Sequence, residues 1–372
     1  MDDRIFWIGF TYVKGIGAVR FRGLLEAFQS MQTAWNASAS QLMEAGLSQK
    51  IVENFQQVRR QIDLDLIWKN IQKDGINVII WDDDLYPRRL KEIDQPPPVL
   101  YTLGDLTVQD EWAVAIVGTR RMTGYGRQVT EELAELLARH GVTVVSGLAR
   151  GVDASAHQTC LTHGGRTIAV LGSGVDRIYP PEHRKLAEDI AKNGAVISDY
   201  PPGAPPESNN FPPRNRIISG LSRVVVVIEA GITSGALITS TFAAEQGRDV
   251  FALPGSIYAN QSKGTNRLIQ QGARPLIDVK DVLDALNIEQ VQEYRQARLE
   301  LPGDPREQQI MDNLGYEPVH IDDLGNATGW GMDTLTATLT MMELKGLVRQ
   351  VGGMNYILVK EKSILYQVDN HD

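Results

Sequence analysis

Phe211-Pro-Pro-Arg-Asn-Arg-Ile-Ile-Ser-Gly-Leu-Ser-Arg-Val-Val-Val-Val-Ile-Glu-Ala230 joins two unlike halves, and the second half decides the fold. Val224, Val225, Val226, Val227 and Ile228 follow one another with no polar alternation. A strand with one face in water alternates polar and apolar residues, whereas a strand covered on both faces is a continuous β-branched run. The run therefore predicts a central strand of a parallel sheet. The first half sets an aromatic ring, Phe211, and two guanidinium groups, Arg214 and Arg216, just ahead of it. A ring and fixed charge beside a rigid sheet suit a ligand that is planar in parts and anionic throughout.

Similar runs recur on both sides of this stretch. Residues 113–117, 142–145, 167–171, 195–198, 223–228, 249–253 and 274–277 are short and β-branched, and they alternate with segments of helical spacing. Such alternation builds an α/β core, a parallel sheet with helices on both faces. Ligands of open α/β sheets sit beyond the carboxyl ends of the strands. Five of these ends carry glycine: Gly118-Thr119-Arg120, Ser146-Gly147-Leu148-Ala149-Arg150-Gly151, Gly172-Ser173-Gly174, Glu229-Ala230-Gly231 with Ser234-Gly235, and Pro254-Gly255-Ser256. Any one of them can serve turn geometry alone. Together they make an edge where an anionic backbone could approach the main chain closely.

Positive charge gathers in the same loops, at Arg120, Arg121, Arg150, Arg184, Lys185, Arg214, Arg216, Lys263 and Arg267. Cations for phosphates and a ring for bases are what single-stranded nucleic acid requires. A dinucleotide would call for Gly-x-Gly-x-x-Gly after the first strand and an acid ending the second. Here Gly118-Thr119-Arg120-Arg121-Met122-Thr123-Gly124 follows the first, and Ser146 stands in place of the acid. No Gly-x-x-x-x-Gly-Lys-Ser/Thr loop is present either. Asp153, Ser155 and His157 lie close together, but Asp153 fits a helix N-cap and His157 a core position. Asp176, Asp199 and Glu229 follow strands without metal-ligand spacing. The expectation is a binding protein with no catalytic residues, no metal and no cofactor.

Two helical modules flank this core. Residues 5–70 have helical spacing, and Val13-Lys14-Gly15-Ile16-Gly17 sits between two apolar-periodic stretches in the manner of a helix-hairpin-helix. In that motif the glycines let a phosphate approach the N–H groups opening the second helix, which makes Lys14, Gly15 and Gly17 candidate DNA contacts. Glu44-Ala45-Gly46-Leu47-Ser48 is a weaker copy, and both also suit simple tight turns. A strand at 77–80 and the prolines Pro96, Pro97 and Pro98 mark an extended connector. After a polar stretch at 288–303, residues 306–360 read as three helices and a two-stranded wing. The third helix carries Asp333, Thr334, Thr336, Thr338, Thr340 and Glu343 where a duplex reader would carry bases, which favours a protein-interaction or regulatory module.

At 372 residues the chain is long enough for two or three domains. Its net charge of −9 argues against coating nucleic acid wholesale, though not against one basic face. Cys160 is the single cysteine, so neither a disulfide framework nor a cysteine zinc site is expected. The acidic start and the lack of a long apolar run point to the cytoplasm.

Taken together the motifs resemble the DNA-processing protein A family, DprA or Smf. The resemblance rests on Tyr86-Pro87, Pro96-Pro97-Pro98-Val99-Leu100-Tyr101, Val117-Gly118-Thr119-Arg120, the stretch 146–153, the stretch 169–176 with Tyr179-Pro180, the stretch 211–222, Ser234-Gly235-Ala236-Leu237-Ile238-Thr239 and Phe251-Ala252-Leu253-Pro254-Gly255-Ser256. It covers nearly the whole chain. It implies an N-terminal domain of sterile-alpha-motif type over 1–75, a connector over 76–110, an extended Rossmann-like core over 111–287, a linker over 288–305 and a winged helix over 306–360.

The resemblance also implies a homodimer that binds single-stranded DNA and helps load the RecA recombinase during natural transformation. The residues it assigns to DNA are Gly118, Thr119, Arg120, Phe211, Arg214, Asn215, Arg216, Gly255 and Lys263. The alternative from another class is a nucleotide phosphoribohydrolase-like enzyme of related fold. Its Pro-Gly-Gly-x-Gly-Thr loop and following glutamate would have to fall on 229–235, where the residues are Glu-Ala-Gly-Ile-Thr-Ser-Gly, and no glutamate follows within the next helical turn.

Overall fold

The computed structural model describes residues 3–286, 305–314, 318–344, 348–351 and 353–358. Apart from Pro305, the expected linker lies outside them. The chain divides into two compact units, Met1–Asn287 and Ile288–Asp372.

The first unit opens with six helices: α1 (Arg4–Thr11), α2 (Ala18–Phe28), α3 (Met31–Asn36), α4 (Ala39–Glu44), α5 (Gln49–Gln61) and α6 (Leu64–Lys73). Aromatic rings fill their centre. Phe10 stacks on Phe55 with centroids 5.3 Å apart, and Trp35 stands edge-on to both. Both glycine turns occur where the spacing predicted them. Gly15 (φ 99°) and Gly46 (φ 93°) take the left-handed backbone that precedes the N-caps Gly17 of α2 and Ser48 of α5.

Next come β1 (Asn77–Ile80), α7 (Arg88–Lys91), β2 (Val99–Gly104), β3 (Ala113–Val117), α8 (Gly124–Arg139), β4 (Thr143–Ser146), α9 (Val152–Thr162) and β5 (Thr167–Val170). They are followed by α10 (Arg184–Asn193), β6 (Ala195–Ser198), α11 (Phe211–Leu221), β7 (Val224–Val227), α12 (Ala236–Glu245), β8 (Asp249–Ala252), α13 (Lys263–Gln270), β9 (Arg274–Pro275) and α14 (Asp281–Ala285).

All nine strands form one sheet, in the order β1-β2-β6-β5-β4-β3-β7-β8-β9. The pairs from β6 through β9 are parallel, as the continuous apolar runs predict. The valine run is central and fully buried, with Val114↔Val224 through Val117↔Val227 in register. Beside the strand expected at 77–80, the stretch expected as a connector supplies a second strand, β2. β1 and β2 run antiparallel, and β2 pairs antiparallel with β6. Pro96, Pro97 and Pro98 stop just before Val99, so no ladder N–H is lost.

The sheet is covered on both sides. Ile168 and Val170 point into a cluster shared with Ile217 and Ala243, while Ala169 and Leu171 point into one shared with Ala187 and Ile190 of α10. The first cluster also takes in Ile5 of α1 and Tyr101 of β2, so the N-terminal helices and the sheet share one core. The Thr11 and Tyr101 hydroxyls meet at 2.8 Å on that border.

The second unit has α15 (Pro305–Asn313), α16 (Ile321–Thr328) and α17 (Met332–Leu344), with β10 (Val319–His320), β11 (Val348–Gln350) and β12 (Asn355–Leu358) in the order β10-β12-β11. Ile310, Leu324, Leu335, Leu339 and Tyr356 form its core. The wing anticipated as a hairpin gains a third short strand ahead of α16. Among the described residues no helix is long and apolar enough to cross a membrane.

Candidate nucleic-acid interface

The strand order reverses between β3 and β7, since the strands numbered upward from β3 run one way and β7 to β9 the other. At such a switch point the two outgoing loops diverge and leave a crevice. A cleft of about 670 Å³ opens there, lined by Gly118, Thr119 and Arg120 after β3, by Gly231, Ser234 and Gly235 after β7, and by Phe211, Arg214 and Asn215 of α11. Six of the nine core residues assigned to DNA by resemblance thus share one cleft.

Hydrogen bonds fix the first loop. The Thr119 N–H donates to the Glu229 carbonyl at 2.7 Å, and the Val152 N–H donates to the Thr119 carbonyl at 3.3 Å. The Glu229 carboxylate accepts from the Thr123 N–H at 2.9 Å and from its hydroxyl at 2.5 Å. Glu229 is buried and ties the loop after β3 to the end of β7, a role no sequence pattern pointed to. Arg120 and Arg121 stand exposed at the cleft and take part in no ion pair among the described residues.

The arginines of α11 behave differently from the expectation of open phosphate contacts. Positions 214, 217, 218 and 221 lie on one helical face with Ile217, Ile218 and Leu221, so Arg214 is drawn inward and is only 5% exposed. Its guanidinium donates to the carbonyl oxygens of Gly147 (3.0 Å) and Val170. Burial lowers it to about 10, and Asp153, the leading opposing influence, raises it, so it stays charged at neutral pH.

Asp153 is not a helix cap. Gly151 holds the N-cap position of α9, while the Asp153 carboxylate accepts the N–H groups of Gly147 at 3.1 Å and Ala149 at 3.3 Å. Burial pushes its pKa up, against the pull of Arg214 and of those N–H groups. An added Cβ at Gly147 would lie 2.8 Å from the Arg214 guanidinium and 2.9 Å from the Asp153 carboxylate, which is why glycine stands there. His157 is a core residue as expected. Its Nδ1 lies 2.6 Å from the Thr167 hydroxyl oxygen, and burial depresses its pKa to about 3.

Phe211 keeps part of its ring open and packs at 5.7 Å against Tyr179, an aromatic cleft residue that spacing did not flag. Its signal was the Tyr179-Pro180 pair after a glycine-bearing strand end. The remaining candidates lie elsewhere. Arg216 pairs with Asp199 at 2.8 Å and lines a separate cavity with Gly17 and Ala18 of α2. The Gly255 N–H, expected to meet a phosphate, donates to the Asn266 side chain at 3.2 Å. Lys263 is exposed at the start of α13 and does not line the cleft. Lys14 and Gly15 lie in the α1–α2 turn, where Arg20 donates to the Gly15 carbonyl at 2.7 Å. In the loop at 229–235 the buried Glu229 has a bracing role.

Known proteins match this architecture. The family described as DNA recombination-mediator protein A matches residues 77–287, and the DprA winged helix domain matches residues 295–354. Protein Smf of Synechocystis sp. is 37% identical over 95% of this chain and 98% of its own length. DNA processing protein DprA of Bacillus subtilis is 43% identical over 59% of this chain and 75% of its own length. The crystal structure of DNA processing protein A from Streptococcus pneumoniae superposes with a TM-score of 0.67 at 36% identity, covering 75% of this chain and 97% of that one. A structure of DNA processing protein A from Helicobacter pylori, described for its single-stranded DNA binding mode, matches over 57% of this chain and 96% of its own, with a TM-score of 0.52 at 33% identity. Sheet, cleft loops and winged helix thus lead to one assignment: the chain belongs to the DNA recombination-mediator protein A family, DprA/Smf.

Proposed function

We propose that this protein binds single-stranded DNA in the cleft at the β3/β7 switch point and passes the strand to a RecA-type recombinase during natural transformation and recombination. The observation that carries this reading is the meeting, in one cleft, of Arg120 and Arg121, which take part in no ion pair among the described residues, with the partly open ring of Phe211. Arg120 and Arg121 neutralise phosphates while Phe211, backed by Tyr179, stacks on a base. Stacking accepts any base and contributes about 1–3 kcal/mol per base, so binding tolerates any sequence. Duplex DNA binds less well because its bases already stack on one another.

In this reading Arg214, Asp153 and Gly147 shape the cleft floor and act on DNA through position. The protein works in the cytoplasm as a homodimer, which places two clefts on one strand and raises avidity. The relatives named DNA processing protein DprA support this reading.

The test is fluorescence anisotropy with labelled oligothymidylate and with a duplex of equal length at two salt concentrations. Wild type should prefer the single strand and weaken with salt, and Arg120→Ala should lose about tenfold in affinity. Equal affinity for the duplex, or an unaffected Arg120→Ala protein, would overturn the cleft assignment. Filament assembly by purified recombinase on the same strand checks the loading step, and sedimentation checks the dimer.

A further inference from the structure

A bound strand longer than the cleft must leave it, and two openings lead outward. One crosses Pro212 and Ile238 into the cavity beside Arg216. Glu92, Asp94, Asp199 and Glu245 line that cavity. Its two cations are engaged, Arg216 with Asp199 and Arg248 with the carbonyl oxygens of Arg89 and Gly220, while Asp94 and Glu245 take part in no ion pair among the described residues. A phosphate chain is repelled on that side.

The other opening passes Arg120 and Arg121, which line both the cleft and a groove of about 630 Å³ bounded by α8, α9 and α10. The floor is one face of α9, formed at helical intervals by Ala154, Ser155, Gln158 and Thr159. These side chains are small or neutral hydrogen-bonding groups that let a polymer lie close. Arg127 of α8 and Lys185 of α10, 60% and 71% exposed, form the walls.

Each carboxylate in the groove has a base: Glu131 has Arg127 at 3.7 Å, Glu182 has Arg150 at 2.5 Å and Asp189 has Lys185 at 3.0 Å. The unpaired charge among the described residues of the groove is therefore that of Arg120 and Arg121, at the end where the strand enters.

We infer that single-stranded DNA leaves the cleft past Arg120 and Arg121 and continues along the α9 face between α8 and α10. This rests on the cleft reading above and extends it to a second, contiguous subsite. Because the groove continues from the cleft past Arg120 and Arg121, the footprint is longer than that of the cleft alone. Affinity therefore goes on rising with oligonucleotide length after the cleft is full.

The experiment measures affinity and salt dependence for oligothymidylates of increasing length, with wild type, Gln158→Glu and Glu245→Gln. Glutamate at 158 keeps a good helix former on an exposed site and places a negative charge on the groove floor. In wild type, longer oligonucleotides should steepen the log-affinity against log-salt slope by about 0.7 for each further phosphate neutralised. Gln158→Glu should weaken long oligonucleotides roughly threefold to tenfold and leave cleft-length ones unchanged. Glu245→Gln, at the other opening, should change neither.

A wild-type affinity that stops rising at cleft length, or a Gln158→Glu protein that matches wild type at every length, overturns the path and leaves the groove to a protein partner, with the cleft reading intact. Improved long-strand binding by Glu245→Gln overturns it in favour of the opposite exit. Failure of wild type to bind even the shortest oligonucleotides defeats the cleft reading itself, and the path with it.

Discussion

Arg120 and Arg214 are both arginines of the cleft, and their surroundings give them different work. Arg214 spans two backbone carbonyls beside a buried carboxylate, so Arg214→Ala leaves Asp153 without its counter-charge and should cost about 3–5 kcal/mol of stability. Urea denaturation would measure that loss. Arg120→Ala should stay within about 0.5 kcal/mol of wild type in the same assay, because the side chain is exposed and has no ion-pair partner among the described residues.

His157 supplies a second prediction at this scale. Its folded-state pKa of about 3 lies well below its unfolded value, so between those values the unfolded chain binds the extra proton. Acidification from pH 6.5 towards 3 therefore removes stability, by a few kcal/mol from this residue alone. In His157→Gln, whose amide can still face the Thr167 hydroxyl, the melting temperature should fall less steeply over that window. Equal slopes in the two proteins would show that the imidazole is not buried in its neutral form.

The loops gain their precision from the way elements abut. Gly151 opens α9 with φ +78°, and an added Cβ would collide with the Thr119 carbonyl oxygen and Arg120 backbone. Gly151→Ala therefore strains its own backbone and displaces the loop that carries Arg120. The expected result is a loss of about 1–3 kcal/mol in stability together with weaker strand binding. Unchanged affinity for oligothymidylate would mean that the loop tolerates displacement.

Much of this level was legible in the sequence. The valine run, the glycine-bearing strand ends and the two left-handed turns all follow from side-chain pattern and backbone sterics. Helix α11 was not, because Pro212 and Pro213 look like breakers, yet prolines in a first turn remove no helical hydrogen bond. Once the segment is a helix, the 3–4 spacing of Arg214, Ile217, Ile218 and Leu221 turns the guanidinium inward. The Glu229–Thr123 tie joins residues far apart in the chain, and no local pattern encodes it. Strand β2 was hidden for a similar reason, since its partner β6 lies far along the sequence.

At the scale of the whole molecule, the two units have separate cores, one built on the nine-stranded sheet and one on Ile310, Leu324 and Leu335. Residues 1–287 expressed alone should unfold in a transition that superimposes on the main transition of the full chain, and should keep the strand affinity. Calorimetry and anisotropy on the shortened protein check both. A large drop in melting temperature would mean that the units stabilise each other.

The antiparallel strand β2 also constrains synthesis. Its neighbour β6 emerges from the ribosome only after β3, β4 and β5, and the apolar cluster that begins at Ile5 is completed by Ile217 and Ala243. The N-terminal helices are therefore made first and finished last. Until the sheet closes beneath them, they present apolar surface to whatever holds a nascent chain, and the first unit must mature largely in one late, cooperative step.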